Sequence, residues 1–144
     1  MSGTKLFDIK ELLVAGLSAD LGVVQVSYGY PAEIENEACW FGNANTDSNI
    51  PVMRAGTKHY DEHVDVDCFL QVIQDDGQTQ AQADTRLGEI YAAFQEYVAA
   101  NPNLASVSAL TIQSFRHTTG PLPNTEGHGS RFEITLHYDA RITA

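Results

Sequence analysis

The stretch KHYDEHVDVDCFLQVIQ, residues 58–74, decides the fold. Tyr60, Val64, Val66, Cys68, Leu70 and Val72 fall on one parity, and His59, Asp61, His63, Asp65 and Asp67 on the other. Successive side chains of a strand point to opposite faces, so one face is apolar and the other is lined with acids and imidazoles. Asp75-Asp76-Gly77 follows as a turn, with glycine supplying the backbone freedom. Thr79-Gln80-Ala81-Gln82 then has the spacing of a capping box, and Ala83, Leu87, Ile90, Tyr91, Phe94 and Val98 recur at helical spacing. Asn101-Pro102 stops that helix, because proline disfavours helical geometry in the residue before it. A half-apolar strand beside a half-apolar helix implies a helix packed on a sheet.

Working outward, Leu6, Ile9, Leu13 and Leu17 predict a first helix over residues 6–17, capped by Thr4 or Asp8, ending near Asp20 and followed by Gly22. Residues 23–30 read as a strand with Val24, Val26, Tyr28 and Tyr30 on one face, closed by Pro31. Ala38-Cys39-Trp40-Phe41 reads as a short apolar strand, and residues 42–56 as a long loop without periodicity. Residues 106–117 form a weaker strand, residues 118–129 an extended hairpin arm, and residues 130–142 a cleanly alternating strand. In that last strand Phe132, Ile134, Leu136, Tyr138, Ala140 and Ile142 face inward. The expected fold is α+β in the order α-β-β-β-α-β-β. A mostly antiparallel sheet of about five strands carries two main helices on one face, within a single domain over residues 1–144.

The 144 residues suffice for a real core without staples, and 43% hydrophobic with 19% charged residues is globular composition. No apolar run approaches the roughly 20 residues that span a bilayer, and the charged N-terminal segment does not read as a signal peptide, so the chain is expected to be cytosolic when made. Eight basic against nineteen acidic residues give a formal charge of −11, which suits a solvated surface and disfavours gripping phosphate. Cys39 and Cys68 sit in apolar stretches and read as small buried hydrophobes, able to form a disulfide only if their strands are neighbours.

Chemistry is sparse. His59, Asp61 and His63 form a His-x-Asp-x-His set on one strand face, a possible metal site to which His137 and Asp139 would contribute if the last strand pairs with this one. The alternative is a solvated acidic face, and no metal or other cofactor is assigned. There is no Gly-x-Ser-x-Gly elbow, phosphate loop or dinucleotide fingerprint, and neither cysteine has an activating neighbourhood. Gly127-His128-Gly129-Ser130 leads into a strand rather than a helix. Trp40, Phe41, Tyr91 and Phe94 read as core residues before they read as a binding platform. No catalytic residue is assigned, and the chain is not expected to be an enzyme.

The order of an N-terminal helix, a valine-rich strand ending in Tyr28-Gly29-Tyr30-Pro31, then Cys39-Trp40-Phe41-Gly42, resembles the tail terminator proteins of long-tailed, non-contractile bacteriophages. The similarity continues through the polar-to-apolar strand at residues 59–73, the turn at residues 75–77, and the helix with Ala83, Arg86 and Leu87 that ends at Asn101-Pro102-Asn103-Leu104. It covers nearly the whole chain as a pattern of short segments. The resemblance implies a homo-hexameric ring that caps the tail tube, halts its polymerisation and joins the tail to the head connector. It also implies a virion location at the head-proximal end of the tail, after assembly in the host cytoplasm. The partners implied are other copies of the chain, the tail tube protein and the head–tail connector protein, with DNA passing through unbound and no membrane involved. Met53, Arg54, Arg86, Arg116, Leu122 and Arg131 are the candidate interface residues, and Asp61, Asp65, Asp67, Glu33, Glu35 and Glu37 the candidate acidic lining. The alternatives are another neck or head–tail joining protein, or a small metal-binding domain using the face at residues 59–67.

Overall fold

The computed structural model describes residues 4–49, 59–74, 79–121 and 128–143. Among these residues there are two α-helices, α1 (Leu6–Asp20) and α2 (Gln80–Ala100), and five strands, β1 (Gln25–Ser27), β2 (Glu37–Asn49), β3 (His59–Gln74), β4 (Ser108–Pro121) and β5 (His128–Thr143). The strands form one sheet in the order β1-β2-β3-β5-β4. All pairs are antiparallel except β1 with β2, which is parallel. The α-β-β-β-α-β-β order and the mostly antiparallel α+β sheet are as expected from sequence.

The centre is the β3–β5 pair, which runs without a register shift from His59 opposite Thr143 to Gln74 opposite His128. It puts Val64, Val66, Cys68, Leu70 and Val72 beside Ile134, Leu136 and Tyr138 on one face, all buried. Against that face lie Ala83, Leu87, Ile90, Phe94 and Val98 of α2, and Ile9, Leu13 and Leu17 of α1. The capping box forms as the sequence predicts: Gln82 N donates to Thr79 Oγ1 at 3.2 Å, and Thr79 N donates to Gln82 Oε1 at 2.7 Å. At the C-terminal end of α1, Leu21 N still bonds Leu17 O, and Gly22 takes a φ of 67°, a left-handed exit that glycine makes without strain.

Four sequence expectations change. Residues 42–49, expected in a loop, continue β2 and pair with β3 from Ala44 opposite Val66 to Asn49 opposite Asp61. A register shift between Phe41 and Ala44 resets the alternation there, so the strand shows no period in the sequence. The strand expected at residues 23–30 shrinks to Gln25–Ser27; Tyr28 lies under the Lys10 ammonium, 4.2 Å from the ring centroid, and Tyr30 is mostly exposed. Trp40 does not join the main core. It shares the opposite sheet face with Phe69, its register partner, and is buried there beneath Tyr30. The arm expected at residues 118–129 is partly strand, with Thr118 opposite Arg131 and Pro121 opposite His128.

Cys39 and Cys68 do lie on neighbouring strands, as buried free thiols with their sulfurs 3.8 Å apart. Burial and the neighbouring thiol push the Cys68 pKa well up.

One charged residue occupies the apolar parity of β3. Glu62 is 2% exposed, and its Oε1 accepts from the Tyr138 hydroxyl and from the Lys5 backbone amide, each at 3.1 Å. It thereby ties the start of α1 to the β3–β5 pair. Glu62→Ala is expected to destabilise the protein by roughly 1–3 kcal/mol, because the buried Tyr138 hydroxyl and the partly buried Lys5 amide lose their acceptor. Glu62→Gln, which keeps an oxygen for both, should cost less than half as much in urea unfolding.

Candidate functional site

The polar face of β3 meets the polar face of β5 rung by rung, since the register sets Asp61 opposite Arg141, His63 opposite Asp139, Asp65 opposite His137 and Gln71 opposite Arg131. Cross-strand neighbours on one face stand close enough for their side chains to pair. Arg141 Nε donates to Asp61 Oδ1 at 3.1 Å. His137 lies between two carboxylates, with Nδ1 at 2.7 Å from Asp65 Oδ1 and Nε2 at 3.0 Å from Asp139 Oδ1. The same Asp139 oxygen is 2.5 Å from His63 Nδ1. The hydrogen bond to Asp65, with help from Asp139, raises the His137 pKa, while the hydrogen bonds to His63 and then His137 lower that of Asp139. Asp67 goes the other way: burial, then the charges of Glu133 and Asp65, push it up.

Further along the same face, aromatic rings replace the ions. Phe69 stacks on Trp40 with ring centroids 5.3 Å apart, Tyr30 meets Trp40 edge-on, and the Arg131 guanidinium lies over both Trp40 and Phe69. Arg131 is held there by two hydrogen bonds to Gln71 Oε1. A Cβ at Gly42 would come within 2.8 Å of Phe69 Cε2, so glycine is what lets that ring lie where it does. Beside this patch a cleft of about 320 Å³ is lined by Asp67, Phe69, Phe115, Arg116 and Glu133 among others.

The residues singled out from sequence are distributed as follows. Asp61, Asp65 and Asp67 share the outer face of the sheet. Glu33 and Glu35 are exposed in the segment after β1, where the Gln25 side chain holds the backbone by bonding Glu33 O and Glu35 N. Glu37 leaves that group: it turns to the helix side and accepts two hydrogen bonds from Arg86 of α2, at 2.6 and 2.8 Å. That pair raises the Arg86 pKa. Arg116 is exposed on β4 opposite Glu133. Met53, Arg54 and Leu122 lie outside the described residues, as does the side chain of His59. Among the described residues His63 is grouped with His137 and Asp139 across the β3–β5 pair, each offering a ligand atom within 4.8 Å of the others. Asp61, expected in that set, is instead paired with Arg141.

One polar cluster was not foreseen. The buried Ser130 hydroxyl donates to Asp84 Oδ1 at 2.7 Å and lies 2.8 Å from His117 Nε2, and Gln80 Nε2 also reaches Asp84. The Ser130 bond is the chief reason the Asp84 pKa is lowered. All three triad residue types are present, but the connectivity differs from a nucleophilic triad: the carboxylate holds the serine directly, whereas a triad needs it behind the histidine. The cluster fastens α2 to β4 and β5. The only sequence signal was one polar residue, Ser130, on the inward parity of β5; His117 falls on the outward parity in sequence and reaches this side through the register shift between Ile112 and Ser114.

The imidazole–carboxylate rungs carry a pH dependence. The raised His137 pKa contributes stability that is fully present below about 6.5, its unfolded value, and is lost as pH rises through the folded value. The lowered Asp139 pKa contributes stability present above about 3.9 and lost as pH falls through its folded value. Unfolding free energy in urea is therefore expected to decline as pH is raised above about 6.5. His137→Gln should flatten that decline, by less than about 1 kcal/mol because the groups are substantially exposed.

No protein-family model matches the chain, and no curated protein matches it. Among solved structures, a chain of a native gene transfer agent particle virion aligns over 94% of this chain and 95% of its own length, at 10% identity and a TM-score of 0.49.

Proposed function

We propose that the chain is a structural protein of a phage-like virion, and specifically a tail terminator: a ring-forming subunit that caps the tail tube, stops its growth and meets the head connector. The observation that supports this reading is where the resembling segments fall. Tyr30 of Tyr28-Gly29-Tyr30-Pro31 packs on Trp40 of Cys39-Trp40-Phe41-Gly42, and Phe69 of the polar-to-apolar strand stacks on that same tryptophan, over Gly42. Segments far apart in sequence thus belong to one packed unit, as expected if the pattern reflects a shared architecture.

A closed ring needs two unlike patches that meet head to tail. Arg116, exposed on the edge strand β4, is the candidate contact with the fewest internal commitments given above; Arg86 is already engaged by Glu37, and Arg131 by Gln71 and the rings. Met53, Arg54 and Leu122 complete the proposed contact set. Six copies at −11 each carry −66, and Asp61, Asp65, Asp67, Glu33 and Glu35 are the proposed lining past which DNA slides without capture. Among the described residues no helix is long and apolar enough to cross a membrane.

Electron microscopy of tails assembled with and without the protein tests termination: tubes of uniform length are expected with it and overlong tubes without it. Identical length distributions would overturn the proposal. Asp61→Lys and Asp67→Lys together should slow DNA ejection while leaving rings intact by microscopy, and unchanged ejection kinetics would remove these acids from the lining.

A further inference from the structure

We propose that His63, His137 and Asp139 bind a divalent transition-metal ion of the zinc class on the outer face of the sheet, with Asp65 as the carboxylate that orients His137. This inference is independent of the tail-terminator reading.

The ligand atoms lie within 4.8 Å of one another, and two of the separations, 2.5 Å and 3.0 Å, are given by hydrogen-bond contacts at a single Asp139 oxygen. Tetrahedral zinc with bonds of about 2.0–2.1 Å places its ligand atoms about 3.3 Å apart, so small side-chain rotations convert the cluster into three corners of that figure. The fourth corner is left for water, and the side chains are 31–44% exposed, which leaves a path for the ion.

Asp65 supplies the second indication. A metal-bound imidazole almost always donates its other N–H to a carboxylate or carbonyl, and Asp65 Oδ1 stands 2.7 Å from His137 Nδ1. With that N–H committed, a neutral His137 presents its Nε2 lone pair to the Asp139 carboxylate at 3.0 Å. Two acceptors facing each other at that distance call for a cation between them, either a proton or a metal ion. Directly opposed residues are about 4.5–5.5 Å apart and same-face residues two apart on one strand about 6.6 Å, so His63 meets Asp139 across the strands while His137 reaches the same carboxylate along β5. The rungs sit in the unshifted β3–β5 pair, so the ligands are carried on regular strand backbone. A chain of formal charge −11 also concentrates cations near its surface.

The test is titration of the untagged, metal-free full chain with zinc chloride, followed by calorimetry, equilibrium dialysis and ¹⁵N spectra of the imidazoles. One zinc per chain is expected, with a Tm rise of roughly 5–10 °C at a hundredfold excess over Kd. In the spectra His137 Nε2 should shift while Nδ1 stays protonated, and affinity should strengthen from pH 5.5 to 7.5 as zinc displaces protons. Asp65→Asn is expected to weaken binding about 10–100-fold, and His137→Ala or Asp139→Ala to abolish it with the far-ultraviolet circular dichroism unchanged. Absence of retained zinc would overturn the proposal, as would zinc bound equally by His137→Ala and Asp139→Ala. Should a variant fail to fold, the imidazole spectra of the unaltered protein decide between these outcomes.

Discussion

The antiparallel contact between β3 and β5 is the constraint on which the rest of the molecule depends. Its register runs unshifted from end to end, so it fixes two surfaces at once. One parity supplies the floor on which both helices pack; the other supplies a row of opposed acids, imidazoles and arginines. Every other strand is added outward from this pair: β2 and then the short β1 on one flank, β4 on the other. Both flanking pairs carry register shifts, and the central one does not. The regular part of the sheet is thus the part that positions chemistry.

Among the described residues the helix side is joined to the sheet by apolar burial and by polar fastenings. Glu62 receives the start of α1, the Glu37–Arg86 fork joins β2 to α2, and the Asp84–Ser130–His117 cluster joins α2 to β4 and β5. Each is hydrogen-bonded with good geometry, which is the condition for a buried or half-buried polar group to fix an arrangement rather than weaken it. They sit at different places around α2 and α1, so together they fix where the helices lie along the sheet, which non-directional burial alone does poorly.

The sequence exposes those elements whose periodicity is unbroken. The α2 stripe from Ala83 to Val98, its capping box, and the alternation of β3 and β5 all read directly, because burial on one side imposes a single period on each. The second half of β2 is invisible because the shift after Phe41 resets its parity amid small polar residues. A similar shift between Ile112 and Ser114 of β4 puts Phe115 opposite Ile134 and leaves it largely exposed beside Tyr91. Ala38-Cys39-Trp40-Phe41 reads as one apolar run because the sheet is covered on both faces there, and such a run does not say which side chain goes where. Of the polar face, His63, His137 and Asp139 were each visible, but only the register says which of them meet. Glu62 was marked by its parity alone: an acid where the pattern demands an apolar residue.

The unshifted register has a consequence for how this chain can vary over evolutionary time. Gaining or losing one residue within β3 or β5 would rotate everything beyond that point by half a turn, carrying carboxylates under α2 and valines out to solvent. Length polymorphism in these two strands is therefore confined to steps of two, because a step of one exchanges the buried face for the solvated one.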